Sequence, residues 1–221
     1  MEKKLIEYDR CFLKEGVDGI IGVDDVGLGC VFGSIVTCAV ILDLTFEGTE
    51  LEKIHVADSK SLTRSERERA IPRLEKFIKA KAFGIVDATE LNSLKLSGMN
   101  LDVMAKLARE RAVKKIYQTN YVVLVDGIRD SYVINKTLVD TVKVKKITGT
   151  DETPSASIAV ASVFAKVYRD SLMKMYHKMF PEYNLEEGMG YGTPEHLRAV
   201  KKYGITPLHR FWYKNIREYA K

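Results

Sequence analysis

The chain has 221 residues, 46% of them hydrophobic and 29% charged, which suits one domain over 1–221 with a C-terminal helical extension from about 181 and excludes a disordered or collagen-like chain. No apolar run reaches the roughly 18 residues of a membrane-spanning helix, so no membrane partner is expected. The formal net charge is +5, and all of that excess lies in residues 164–221, which hold 11 basic and 6 acidic side chains; a one-sided basic surface points to a phosphate-bearing partner.

Residues 1–16 predict a short amphipathic helix, charged at its start and without the apolar core of a secretory signal. Gly19-Ile-Ile-Gly-Val-Asp24 reads as a buried strand that stops at Gly27-Leu-Gly29. The β-branched run Ser34–Leu42 reads as a central strand, paired antiparallel with the first. Three cysteines, Cys11, Cys30 and Cys38, lack Cys-x-x-Cys spacing. They form no disulfide framework or zinc site and read as reduced, buried thiols, which fits a cytoplasmic protein. Thr63-Arg-Ser-Glu66 is a capping-box pattern opening a helix to about Lys81, with Pro72 as a kink or restart. Ala82–Asp87 predicts a strand. Asn100 caps a helix striped by Leu101, Met104, Ala108, Ala112 and Ile116. Tyr121–Asp126 and Val142–Ile147 predict two more strands, Ser155 to about Phe180 a long helix, and Pro194–Tyr203 the opening of the last helices. Strands first and crossover helices later predict an α/β fold with a mixed five-stranded sheet flanked by helices.

Asp24, Asp25 and Asp126 stand where apolar strands meet solvent. Gathered carboxylates repel one another, and oxygen ligands without Cys or clustered His suit Mg²⁺ or Mn²⁺. Neighbouring residues on a regular strand point to opposite faces, so Asp24 and Asp25 share one cluster only if the strand bends or ends there. Otherwise Asp24 faces inward and Asp25 caps a turn. On the long helix, Ser162, Lys166, Arg169 and Asp170 share one face, which on its spacing alone is better read as a solvated face with a Lys166–Asp170 pair.

Taken together, the ordered blocks resemble ribonuclease HII, the type 2 ribonuclease H. Gly22-Val-Asp-Asp-Val-Gly-Leu-Gly29 is similar to its Gly-Val-Asp-Glu-x-Gly-Arg-Gly, Asp58-Ser-Lys-Ser-Leu62 to its Asp-Ser-Lys-x-Leu, and Val125-Asp-Gly127 to its second strand-end acid. Ser157–Ser162, Ala165–Asp170, Gly190-Tyr-Gly-Thr-Pro-Glu-His196 and Thr206-Pro-Leu-His-Arg210 match later blocks. The resemblance implies a ribonuclease H-like fold and endonucleolytic hydrolysis of RNA in RNA/DNA hybrids. It also implies incision at ribonucleotides embedded in duplex DNA, with 5′-phosphate and 3′-hydroxyl products. It implies two divalent ions, about 3.5–4 Å apart in such sites, held by Asp24, Asp25, Asp126 and Asp170. Gly27, Leu28, Gly29 and Tyr191 are the implied readers of the 2′-hydroxyl and sugar at the RNA–DNA junction. Lys60, Ser162, Lys166 and Arg169 are the implied contacts to the nucleic acid. A monomer is expected, and a sliding clamp stays open as a partner. The chain departs from the pattern at Asp25 for Glu, Leu28 for Arg, and Glu152-Thr-Pro for Asp-Ala-Lys. A hybrid-binding protein with weakened chemistry and a same-fold nuclease for branched DNA are the competing expectations.

Overall fold

A computed structural model describes residues 4–46, 62–126, 143–147 and 155–219. Five strands, β1 (Gly19–Val26), β2 (Ile35–Leu42), β3 (Ile78–Val86), β4 (Tyr121–Asp126) and β5 (Lys143–Ile147), form one sheet in the order β3-β2-β1-β4-β5. The β1–β2 and β2–β3 pairs are antiparallel, and β1–β4 and β4–β5 are parallel. The mixed sheet expected from chain order is therefore present. Its central strand is β1, flanked by β4 and by β2, which is buried at every position.

Two helices sandwich the sheet. The long helix, Ala156–Met179, covers one face: Ala159, Val160, Val163 and Phe164 pack on Cys38, Val40 and Leu42. It sits unusually close to β1, because a Cβ on Gly22 would lie 2.2 Å from the Ser157 carbonyl carbon. Leu101–Ile116 covers the other face, where Ala112 and Val113 meet Ile21, Val23, Ala39 and Ile41. We label the helices α1 (Lys4–Arg10), α2 (Arg64–Leu74), α3 (Ala88–Leu96), α4 (Leu101–Ile116), α5 (Ala156–Met179), α6 (Leu185–Gly188), α7 (Pro194–Tyr203) and α8 (Lys214–Arg217). The segments after α5 gather around Phe32, with Tyr183, Leu185, Val200 and Ile216. Among the described residues no helix is long and apolar enough to cross a membrane.

Several boundaries differ from expectation. The N-terminal helix is shorter, Lys4–Arg10. The Thr63–Glu66 capping box is present, but α2 runs through Pro72 and stops at Leu74; a 3₁₀ turn follows, and β3 begins at Ile78. Pro72 is exposed and stands two residues from the end of α2, so the helix stops soon after it rather than breaking at it. Helix α3 is an addition to the expected elements. Asp87, read as a strand end, is its N-cap and accepts a bond from the Glu90 N–H. Cys11 is exposed rather than buried.

Candidate active site

The sheet register decides where each acid goes. Strand β1 does not end at Asp24: Asp24 pairs with Cys38, and Asp25 with Thr37. Asp24 lies on the α5 face, as Gly22 and Cys38 do. Asp25 lies on the α4 face with Ile21 and Val23. There Arg109 of α4 donates through Nε to Asp25 Oδ2 at 2.6 Å and also through Nη2, while the Thr37 hydroxyl donates to Oδ1. The structure therefore separates the Asp24–Asp25 pair, because the strand stays regular through Val26.

Asp170 projects from α5, 6% exposed. It pairs with Arg67 of α2, Nη2 to Oδ2 at 3.5 Å, and Arg67 also donates to the Leu62 carbonyl. Asp126 ends β4, one residue beyond Val125, which pairs with Val23. The Asp126 side chain, Lys60 and Glu152 lie outside the described residues. Among the described residues no three or more His, Cys, Asp or Glu gather at metal-binding range. As donors, Asp24 and Asp170 fit a hard divalent ion, since both are carboxylates on the α5 side of the sheet. Burial pushes the Cys38 thiol beside Asp24 far up, so it stays protonated and offers no soft ligand. Asp25 does not fit that set.

The glycine turn is held from behind by two buried arginines. Gly27 has φ +89°, a conformation that favours glycine. A Cβ there would lie 2.4 Å from Arg169 Nε. Arg169 is 2% exposed and donates to the carbonyls of Ser34, Phe32 and Met189 at 3.3, 3.1 and 2.7 Å. Its guanidinium braces the loop rather than facing a phosphate. Arg210 is fully buried and donates to the carbonyls of Gly33 at 2.9 Å, Gly27 at 2.7 Å and Leu28 at 3.2 Å. Burial lowers the Arg210 guanidinium to about 10, which leaves it charged at neutral pH. Tyr213 also donates to the Leu28 carbonyl. Leu28 turns its side chain into an apolar cluster with Ile35, Met104 and Trp212. Trp212 packs against the same cluster and on Tyr213, with ring centroids 4.4 Å apart.

Tyr191 lies across this turn, half exposed, its ring 3.9 Å from where a Gly29 Cβ would stand. The neighbouring Cys30 thiol and then burial push its phenol above the usual range; Arg169 opposes this, and Asp170 adds to it. Gly190, next to it, accepts bonds from the N–H groups of Val31 and Phe32 at 2.9 and 3.1 Å. Ser162 and Lys166 are half-buried on α5. The structure thus brings together Gly27–Gly29, Tyr191, Arg169 and Asp170. Arg67, Arg109 and Arg210 carry no assignment from the sequence. Arg109 alone has a readable signal there, a cation inside the apolar stripe of α4.

A mixed β3-β2-β1-β4-β5 sheet with carboxylates on the adjacent parallel strands β1 and β4 and on the covering helix defines the ribonuclease H-like class of α/β proteins. The Ribonuclease HII family model matches residues 21–216. A ribonuclease HII from Pediococcus pentosaceus is 33% identical over 211 residues, covering 96% of this chain and 75% of the relative. Among solved structures, ribonuclease HII in the PCNA complex from Archaeoglobus fulgidus superposes with a TM-score of 0.73 at 22% identity, covering 89% of this chain and 95% of that one. Bst-RNase HIII in complex with Mn²⁺ gives 0.69 at 20% identity, covering 90% of this chain and 68% of that one. The chain belongs to the ribonuclease HII family, whose members are metal-dependent endoribonucleases.

Proposed function

We propose that this chain hydrolyses the RNA strand of RNA/DNA hybrids and incises at single ribonucleotides in duplex DNA, leaving 5′-phosphate and 3′-hydroxyl ends. The observation that carries this reading is that Tyr191 lies across the glycine turn while Arg169, next to Asp170 on α5, packs beneath it. Backbone groups at Gly27–Gly29 can approach a 2′-hydroxyl closely, the one group that separates RNA from DNA, and the exposed Tyr191 ring supplies a flat surface for the adjoining sugar. Asp24, Asp126 and Asp170 would hold two divalent ions, Mg²⁺ or Mn²⁺. When bound, such ions supply Lewis acidity at the attacking water and at the leaving oxygen. Arg67 balances the Asp170 charge when no cation does. Arg210 keeps the Gly27 and Leu28 carbonyls occupied, and Arg169 packs beneath Gly27 and holds the carbonyls of the following loop, so the turn is braced in one conformation. Mn²⁺ is bound by the Bst-RNase HIII relative. PCNA is bound by the Archaeoglobus fulgidus relative, so a sliding clamp is the protein partner to test first.

The test is incision of a duplex carrying one ribonucleotide, with Mg²⁺ and with Mn²⁺. The expected result is a cut at the ribonucleotide that Asp24→Asn abolishes and Tyr191→Ala slows more on this duplex than on a continuous hybrid. A second reading, tight hybrid binding with weak chemistry, is favoured by the seclusion of Asp25. It predicts binding without incision under both metals.

A further inference from the structure

Asp25 occupies the position where the family pattern has its second acid, yet among the described residues its hydrogen bonds all lie on the α4 side of the sheet. Oδ1 accepts from Thr37 and Oδ2 from two nitrogens of Arg109. The Asp25 and Arg109 side chains are 5% and 3% exposed. Arg109 projects from the face of α4 that otherwise buries Met104, Ala105, Ala108, Ala112 and Val113. A cation in such surroundings needs a counter-ion, and removing one leaves an uncompensated buried charge. An aspartate has one methylene between backbone and carboxylate. On a regular strand it cannot carry its oxygens past its own main chain to the Asp24 face.

We infer that Asp25 is not a metal ligand in this chain but, with Arg109 and Thr37, a buried lock that fixes the end of β1 from behind, so that the metal centre rests on the three carboxylates Asp24, Asp126 and Asp170. This rests on the proposed reading of those three acids. Arg109 is then a positioning residue. It cancels the charge next to Asp24, which lowers the repulsion Asp24 feels from its neighbour, and it holds β1 and α4 in one register.

The lock and the ligand set are tested on the full chain by Mn²⁺ titration and thermal unfolding. Asp25→Asn keeps the shape and removes the charge. It should bind Mn²⁺ as the unmodified chain does and lose several degrees in Tm, whereas Asp24→Asn should weaken Mn²⁺ binding about tenfold or more. Arg109→Met should cost more Tm than Asp25→Asn, and the pair combined should cost less than the two losses added. Arg109→Lys, which keeps charge but not the forked donor, serves the same cycle where Arg109→Met does not fold. Loss of Mn²⁺ affinity in Asp25→Asn equal to that in Asp24→Asn overturns the inference, and so do Tm losses that simply add. If the unmodified chain binds no Mn²⁺ and Asp24→Asn changes nothing, the reading of the three acids fails, while coupling or additivity in Tm still supports or overturns the lock.

Discussion

His196 and His209, scattered in sequence, meet in the structure and are each 1% exposed. Their bonds fix the tautomers. The Thr206 N–H donates to His209 Nδ1 at 2.9 Å, so that nitrogen carries a lone pair and the proton is on Nε2. His209 Nε2 therefore donates to His196 Nε2 at 3.1 Å, and His196 Nδ1 donates to the Tyr183 carbonyl at 3.1 Å. Both rings are neutral. Burial, then the neighbouring His196, pushes His209 down to about 3, and burial lowers His196 as well. The sign follows from linkage. Below the ordinary value of 6.5 the unfolded chain takes up a proton that folded His209 refuses, so its contribution is complete above that pH and is lost as pH falls toward 3. Stability should fall by at most about 1.4 kcal/mol per pH unit from this group. Urea unfolding from pH 7 to 4 should show a steeper decline for the unmodified chain than for His209→Gln.

At the scale of elements, one of the close approaches in the sheet is Gly22 beneath the first turn of α5. A Cβ there meets the backbone of Ser157 and Ile158 at 2.2 and 2.5 Å, and backbone cannot swing aside as a side chain can. Gly22→Ala should force α5 off β1 and cost about 3 kcal/mol or more in denaturant unfolding. Since α5 carries Asp170 and β1 carries Asp24, cleavage should fall further than the loss of folded protein explains. The strands are legible in the sequence because apolar runs ending in acids leave little choice of face. The capping box and the Asn100 cap are legible because side-chain and backbone partners sit three residues apart. Helix α3 is hidden because Asp87 serves as both strand end and cap. The candidate site is legible in its positions and less so in its wiring: the alternation of β1 raises the objection to Asp25, but only α4 packed on the sheet shows Arg109 as the answer. Arg169 resembles a phosphate ligand in the sequence because a helical face cannot reveal which loop closes over it.

At the scale of the molecule, a +5 total conceals a contrast between a basic C-terminal quarter and acids on the central strands. Lys201 and Lys202 are exposed at the end of α7, whose N-cap, Thr193, follows Tyr191 by two residues. Charge reversal at both should weaken hybrid binding and lower the salt slope by about one for each phosphate no longer neutralised. The same change at Lys114 and Lys115, at the end of α4 on the other side of the sheet, should matter less; equal effects would show that the clustering has no role. The bracing of the glycine turn also bears on the order of synthesis. Every proposed acid has been made by residue 170, but the turn is gripped by Arg210, and Val31 and Phe32 just beyond it bond to the Gly190 carbonyl; both partners come later. A domain folds as a unit once its parts have emerged. A growing chain thus holds all the proposed acids before it holds the residues that close the glycine turn, and the turn is completed only at the end of synthesis.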